Sequence, residues 1–211
     1  MTNRANEERL RFEKLKSQLD AWAITQGLGN IRMALVFAEN HTPGMRKCGI
    51  KPAFLHALEV ALYLKTMYRA LSQPENTIVA ALLHDILEDT SVTYRELAEM
   101  FGATVAHACE LLNKKTPDGK KDMHEYADEM ALSELASVVK GADRINNLQS
   151  MIGVFSMEKQ IAYVAEARNL YVPMLKKARK RFPGQRDVYE NIKILMNSQL
   201  QLLDALHTRE T

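Results

Sequence analysis

Apolar residues recur at helical spacing along nearly the whole chain. Over residues 4–22, Leu10, Phe12, Leu15, Leu19 and Trp22 stand among many charges, the pattern of an amphipathic helix. Gly27 and Gly29 interrupt it, and a second helix is predicted over 31–40 with Met33, Ala34 and Phe37 on a common face. The segment from His41 through Thr42, Pro43, Gly44, Met45, Arg46, Lys47 and Cys48 to Gly49 reads as irregular, fixed by one proline and two glycines. A helix follows over 53–71, and Pro74 opens the next, which runs into the stretch 80–90. Thr93 with Glu96 three residues on is a capping box for a short helix over 94–100, closed by Gly102. Residues 104–112 form another. Pro117, Asp118 and Gly119 mark a turn within 113–121, expected to be a mobile loop. Two helices are predicted in 122–153, divided near Ser133, and two long ones in 157–207, punctuated by Pro173 and by Phe182, Pro183 and Gly184. No segment sustains period-two alternation. The fold class expected is therefore all-α, a single-domain helical bundle over 1–211 with little or no sheet.

Composition changes this picture little. A hydrophobic share of 46% and a charged share of 26% are ordinary globular values, and 211 residues suffice for one well-buried domain. With only 9 Gly and 6 Pro, helices are favoured over a many-turned β fold. The formal charge of +2 is too small to point to nucleic acid. No basic start followed by an apolar core opens the chain, and no apolar run approaches the ~20 residues of a membrane span. Cys48 and Cys109 show neither metal spacing nor a disulfide framework, so they are expected as free thiols in a reducing cytoplasm. The basic run Lys176, Lys177, Arg179, Lys180 and Arg181 is read first as a solvated helix face, with a phosphate-attracting rim as the sharper alternative.

Chemistry concentrates at the end of an apolar run. Ala80, Ala81, Leu82 and Leu83 lead directly into His84 and Asp85, and one helical turn later come Glu88 and Asp89. Such groups in apolar surroundings cost several kcal/mol unless they share a partner or meet water. On a continuous helix His84 and Glu88, and likewise Asp85 and Asp89, are four apart, so the four fan around one end. The bland reading is a helix whose last turn emerges into solvent. Two further places offer ligands. His56 lies among Leu55, Leu58 and Leu62, where a lone histidine is commonly a satisfied core residue. Asp143, Asn147 and Ser150 share a polar face in an otherwise apolar helix, although Asp143 beside Arg144 also fits a surface ion pair. Taken together, two imidazoles and two carboxylates on three helices suit Mn²⁺, Fe²⁺ or Zn²⁺ better than Ca²⁺.

The order His56, His84-Asp85, Asp143 resembles the signature of the HD superfamily of metal-dependent phosphohydrolases. Arg46-Lys47-Cys48-Gly49 upstream, Glu88-Asp89 after the central pair, and Ala142-Asp143-Arg144-Ile145-Asn146-Asn147 downstream are similar to the hydrolase domain of the RelA/SpoT alarmone enzymes. The likeness runs over about 31–203, leaving 1–30 as an N-terminal helical extension. It implies one Mn²⁺ held by His56, His84, Asp85 and Asp143. It further implies that Glu88 and Asp89 orient or deprotonate the attacking water. Arg46 and Lys47 would meet the guanine base and phosphates, Asn147 the nucleotide sugar, and Ser150 would stand for a frequent Thr. Departures are Cys48 for Ser, Asn146 for a frequent His, and the sequence around Pro52 and His56; these bear on base recognition more than on metal binding.

The activity so implied is Mn²⁺-dependent 3′-pyrophosphohydrolysis of guanosine tetra- and pentaphosphate (ppGpp and pppGpp), releasing pyrophosphate and leaving GDP or GTP. The nucleotide is then the partner, with no nucleic acid and no membrane. Because the sequence ends at Thr211, a small stand-alone hydrolase without synthetase activity is expected. The enzymatic alternative is another HD-type phosphohydrolase acting on ppApp-type, NADPH-like or mononucleotide substrates. The non-catalytic alternatives are a nucleotide-binding or antitoxin module, against which the intact ligand set and acidic pair argue, and a purely structural helical protein, which leaves His56 and Asp143 without a common task.

Overall fold

In the computed structural model, which describes residues 3–46, 48–116 and 119–208, helices form where the apolar periodicity places them. Helix α1 (Asn3–Gln26) buries Phe12, Leu19 and Ala23, while Leu10 points to solvent. In α2 (Gly29–His41) the core face is Ile31, Ala34, Leu35 and Ala38, the i, i+3, i+4, i+7 series. Met33 is exposed and Phe37 half-buried, so the face expected from the sequence is rotated by about one residue. The predicted 53–71 helix is shorter: α3 (Leu55–Lys65) stops at Lys65 and a 3₁₀ turn (Tyr68–Ala70) follows.

Helix α4 (Pro74–Leu83) starts at Pro74 as expected and is buried from Thr77 to Leu83. A buried helix has no polar face to display, which is why its sequence reads as an unbroken apolar run. Then come α5 (Ile86–Asp89), α6 (Tyr94–Phe101) and α7 (Ala103–Leu112). The Thr93–Glu96 capping box forms in both directions: the Glu96 amide donates to Thr93 Oγ1 at 3.3 Å, and the Thr93 amide donates to Glu96 Oε2 at 2.7 Å. Two-residue strands β1 (Lys115–Thr116) and β2 (Gly119–Lys120) pair antiparallel, Lys115 opposite Lys120, and are the only sheet among the described residues. Pro117 and Asp118, on which the expected loop turns, lie outside the described residues.

Ser133 divides α8 (Met123–Met130) from α9 (Glu134–Ser150) and caps the latter, its Oγ accepting from the Ala136 amide at 3.2 Å. Beyond α10 (Met157–Glu166), Pro173 does not end the helical path. A π-helical turn (Ala167–Tyr171) widens it, and the proline sits at the start of α11 (Val172–Arg181). Helix α12 (Arg186–His207) closes the bundle against α9. No described helix is long and apolar enough to cross a membrane. The fold is all-α with that one small hairpin.

Helix α9 is the axis of the bundle, packing on α3, α4, α7, α11 and α12. Gly141 permits this. A Cβ there would stand 2.7 Å from Ile192 Cγ2 of α12 and 3.0 Å from Leu175 Cδ2 of α11. Gly141→Ala is accordingly expected to destabilise the protein by about 1–3 kcal/mol despite the better helix propensity of alanine. Urea unfolding measures it; a neutral or stabilising outcome means the Ile192 side chain can swing away without loss.

Candidate metal centre

Three core helices deliver the ligand-type side chains to one point. His56 lies in the first turn of α3, His84 and Asp85 follow the last residue of α4, and Asp143 sits in the middle of α9. The sequence reading expected 80–90 to be one continuous helix. Instead the chain turns between α4 and α5, with Asp85 at φ −97° and ψ −1°. The break sets Asp85 beside the preceding imidazole, while the Asp85 carbonyl still accepts from the Glu88 and Asp89 amides at 3.1 and 2.9 Å.

The distances are short. Ligand atoms of His56, His84 and Asp143 all lie within 4.8 Å of one another. Asp85 Oδ2 joins them, 3.1 Å from His84 Nε2 and 3.9 Å from His56 Nε2. His84 Nδ1 faces the Ala81 carbonyl oxygen at 2.8 Å, a group that only accepts, so that nitrogen carries the proton. His56 Nδ1 faces Asn146 Oδ1 at 2.7 Å and is a donor by the same reasoning. In neutral imidazoles both Nε2 lone pairs therefore point into the cluster, where His56 Nε2 meets Asp143 Oδ1 at 2.9 Å. His84 Nε2 is buried and makes no hydrogen bond there. With both imidazoles neutral, four acceptors converge on one point, and either a cation or an added proton on His84 relieves them. That is a cation's environment, and its mixed nitrogen and oxygen donors fit a divalent ion such as Mn²⁺, Fe²⁺ or Zn²⁺.

Electrostatics say the same. Burial opposes charge on His84, yet Asp85 and Asp143 outweigh it and push its pKa up to about 10. The carboxylates are calling for positive charge. Burial also opposes ionisation of Asp143, but Lys140 and the two imidazoles hold its pKa well below the ordinary carboxylate range. Its oxygens divide the work: Oδ2 accepts from Lys140 Nζ at 2.7 Å, and Oδ1 accepts from Asn147 Nδ2 at 2.6 Å while facing His56.

The cluster lies against a cavity of about 530 Å³ whose lining includes Arg46, Glu88, Asp89, Asn147 and Ser150. Lys47 falls outside the described residues. Arg46 Nη2 donates to Asn147 Oδ1 at 3.5 Å, and the Ser150 hydroxyl donates back to the Asn147 carbonyl at 3.4 Å. The Arg46 segment is a tight clip: the Arg46 amide donates to the Lys51 carbonyl at 2.8 Å, and Gly49 makes the turn at φ +71°. Glu88 Oε2 accepts from the Lys114 amide at 3.3 Å, which ties the acidic pair to the hairpin. Asp89 has its pKa raised by burial, then by the charges of Asp85 and Glu88.

Sequence reasoning missed Lys140, Lys114, Tyr163 and Arg4, which also line this cavity. Lys140 had a signal, a lysine inside an apolar helix three residues before Asp143. Lys114, Tyr163 and Arg4 had none, since each arrives from another element. Arg144, expected as a possible surface partner of Asp143, is buried instead. It pairs with Glu166 at 2.8 Å and stacks on the Tyr171 and Tyr163 rings at 4.4 and 4.8 Å.

Comparison with known proteins agrees with this geometry. The family model described as HD domain matches residues 34–179. The chain is 37% identical over 153 residues to the guanosine-3′,5′-bis(diphosphate) 3′-pyrophosphohydrolase of Aquifex aeolicus, covering 68% of this chain and 21% of that protein. It is 27% identical over 171 residues to the bifunctional (p)ppGpp synthase/hydrolase SpoT of Escherichia coli, covering 77% and 24%. The chain thus spans about a fifth to a quarter of the length of these relatives. Among solved structures it superposes with TM-score 0.66 and 20% identity, over 82% of this chain and 94% of the other, on a metazoan SpoT ortholog described as hydrolysing ppGpp. A match over this much of the sequence, on a shared fold, makes the chain a member of the HD domain family.

Proposed function

We propose that the protein is a Mn²⁺-dependent (p)ppGpp 3′-pyrophosphohydrolase. The observation that carries this reading is the convergence of His56 Nε2, His84 Nε2, Asp85 and Asp143 beside a cavity that also holds Glu88, Asp89 and Arg46. The names of the aligned relatives supply the substrate class. His56, His84, Asp85 and Asp143 would hold the ion, which when bound acidifies water and neutralises charge on a phosphate oxygen.

The remaining work falls to this chain's side chains. Glu88 and Asp89 take the proton of the attacking water and aim its oxygen at the 3′-diphosphate phosphorus. The raised pKa of Asp89 suits a proton acceptor. Arg46 offers a guanidinium that can clamp a diphosphate bidentately or stack on a base, and Lys47 adjoins it in sequence. Asn147 and Ser150 present an amide and a hydroxyl to the nucleotide sugar. Lys114 and Lys140 add positive charge to the same cavity. Pyrophosphate leaves, and GDP or GTP remains.

The test is incubation of the purified protein with ppGpp and a nucleotide panel, followed by product analysis. Pyrophosphate and GDP are expected with Mn²⁺, little turnover with Ca²⁺, and none in chelator. Orthophosphate from a mononucleotide, with ppGpp untouched, would assign the site to a different HD-type reaction.

A further inference from the structure

Every neutral-imidazole metal ligand must have its other nitrogen pinned, because a ring free to flip or change tautomer presents a proton to the cation. His84 is pinned by the Ala81 backbone carbonyl. For His56 the pin is a side chain, Asn146 Oδ1, and an amide can turn over and offer its NH₂ instead. What stops it is Glu59. Asn146 Nδ2 donates to Glu59 Oε2 at 2.8 Å, and a carboxylate only accepts, so Nδ2 must face Glu59 and Oδ1 must face His56. Glu59 is held in turn from α1, with Arg11 Nη2 lying 2.6 Å from Glu59 Oε1. The series runs Arg11, Glu59, Asn146, His56, and each polarity in it is fixed by the group before. It begins on a helix that precedes the family match at residue 34.

We propose that Asn146 and Glu59, steadied by Arg11, are positioning residues that lock His56 with Nδ1 protonated and Nε2 free for the cation, so that the N-terminal helix α1 takes part in setting metal affinity. This rests on the metal-site reading above. Lys51 approaches Glu8 of the same helix at 3.7 Å, and Arg4 lines the cavity, so α1 meets this face of the site at two further points.

The experiment is titration of the full chain with MnCl₂ alone, followed by calorimetry, with thermal unfolding in chelator as the fold control. Asn146→Leu, which cannot accept from His56, is expected to weaken Mn²⁺ binding about 10- to 100-fold. Glu59→Leu is expected to weaken it in the same direction by releasing the amide. Glu59→Gln keeps an acceptor for Asn146 Nδ2 but loses the acceptor-only character that fixes the amide, so it is expected to recover part of the affinity lost in Glu59→Leu, a recovery that a purely packing role for Glu59 does not require. If Asn146→Leu fails to fold, the pair of Glu59 variants carries the test. Wild-type affinity in Glu59→Leu, or equal loss in Glu59→Gln and Glu59→Leu, overturns the positioning role while leaving the metal site standing. Failure of the wild-type protein to bind Mn²⁺ at all removes both.

Discussion

Asp85→Ala should yield a folded protein that neither retains Mn²⁺ nor turns over ppGpp. The side chain is 45% exposed at the cavity, and its buried neighbour His84, unlike a lysine, can shed its proton at neutral pH, so removing Asp85 strands no charge in the core. What it does remove is one of two carboxylates in the proposed donor set. A bound divalent ion contributes several kcal/mol of transition-state stabilisation, so losing it should slow hydrolysis by roughly 10³-fold or more. Calorimetric titration with MnCl₂ and product release under saturating ppGpp are the two measurements. Glu88→Gln is the informative contrast: it should keep the metal and lose rate, because Glu88 is not among the converging ligand atoms. Full activity in Asp85→Ala contradicts the ligand assignment.

Lys140→Met should cost the metal-free protein about 3–5 kcal/mol, the range seen when one partner of a buried ion pair is deleted. Lys140 and Asp143 are both almost fully buried and lie 2.7 Å apart. Burial opposes both charges. The lysine is nevertheless held well above its ordinary 10.5, chiefly by Asp143, and the aspartate well below its ordinary 3.8, chiefly by Lys140. The pair's contribution is therefore complete between those two ordinary values. It falls away as pH drops below 3.8 through the lowered value of Asp143, and again as pH rises past 10.5 through the raised value of Lys140. Urea unfolding near neutral pH in chelator measures the loss, and added Mn²⁺ should recover part of it by giving Asp143 another counter-charge. A loss under about 1 kcal/mol would mean that Asp143 finds compensation without the lysine, as an exposed pair would allow.

Some of this protein could be read directly from its residues. The helices at α1, α2 and α4, the Thr93 capping box, the start at Pro74 and the division at Ser133 follow from periodicity, caps and proline, all short-range effects. The side chains that converge were legible too, because imidazoles and carboxylates inside apolar runs are costly without a shared partner. Turns with weak local signals were not. The break after Leu83 carries neither Gly nor Pro, and the end of α3 at Lys65 falls where the sequence still allows a helix, so packing decided both.

By itself, then, the sequence determined the all-α class, most helix positions, and the choice of His56, His84, Asp85 and Asp143 as the chemically expensive residues. Only the tertiary structure decided that their Nε2 and carboxylate atoms approach to between 2.9 and 3.9 Å. It alone showed that Lys140 neutralises the far oxygen of Asp143, and that Arg11, distant in sequence, braces His56 through Glu59 and Asn146. The reason is range. Helix propensity and capping act over about one turn of chain, whereas the direction in which a lone pair points is set by partners that only the packed bundle brings alongside.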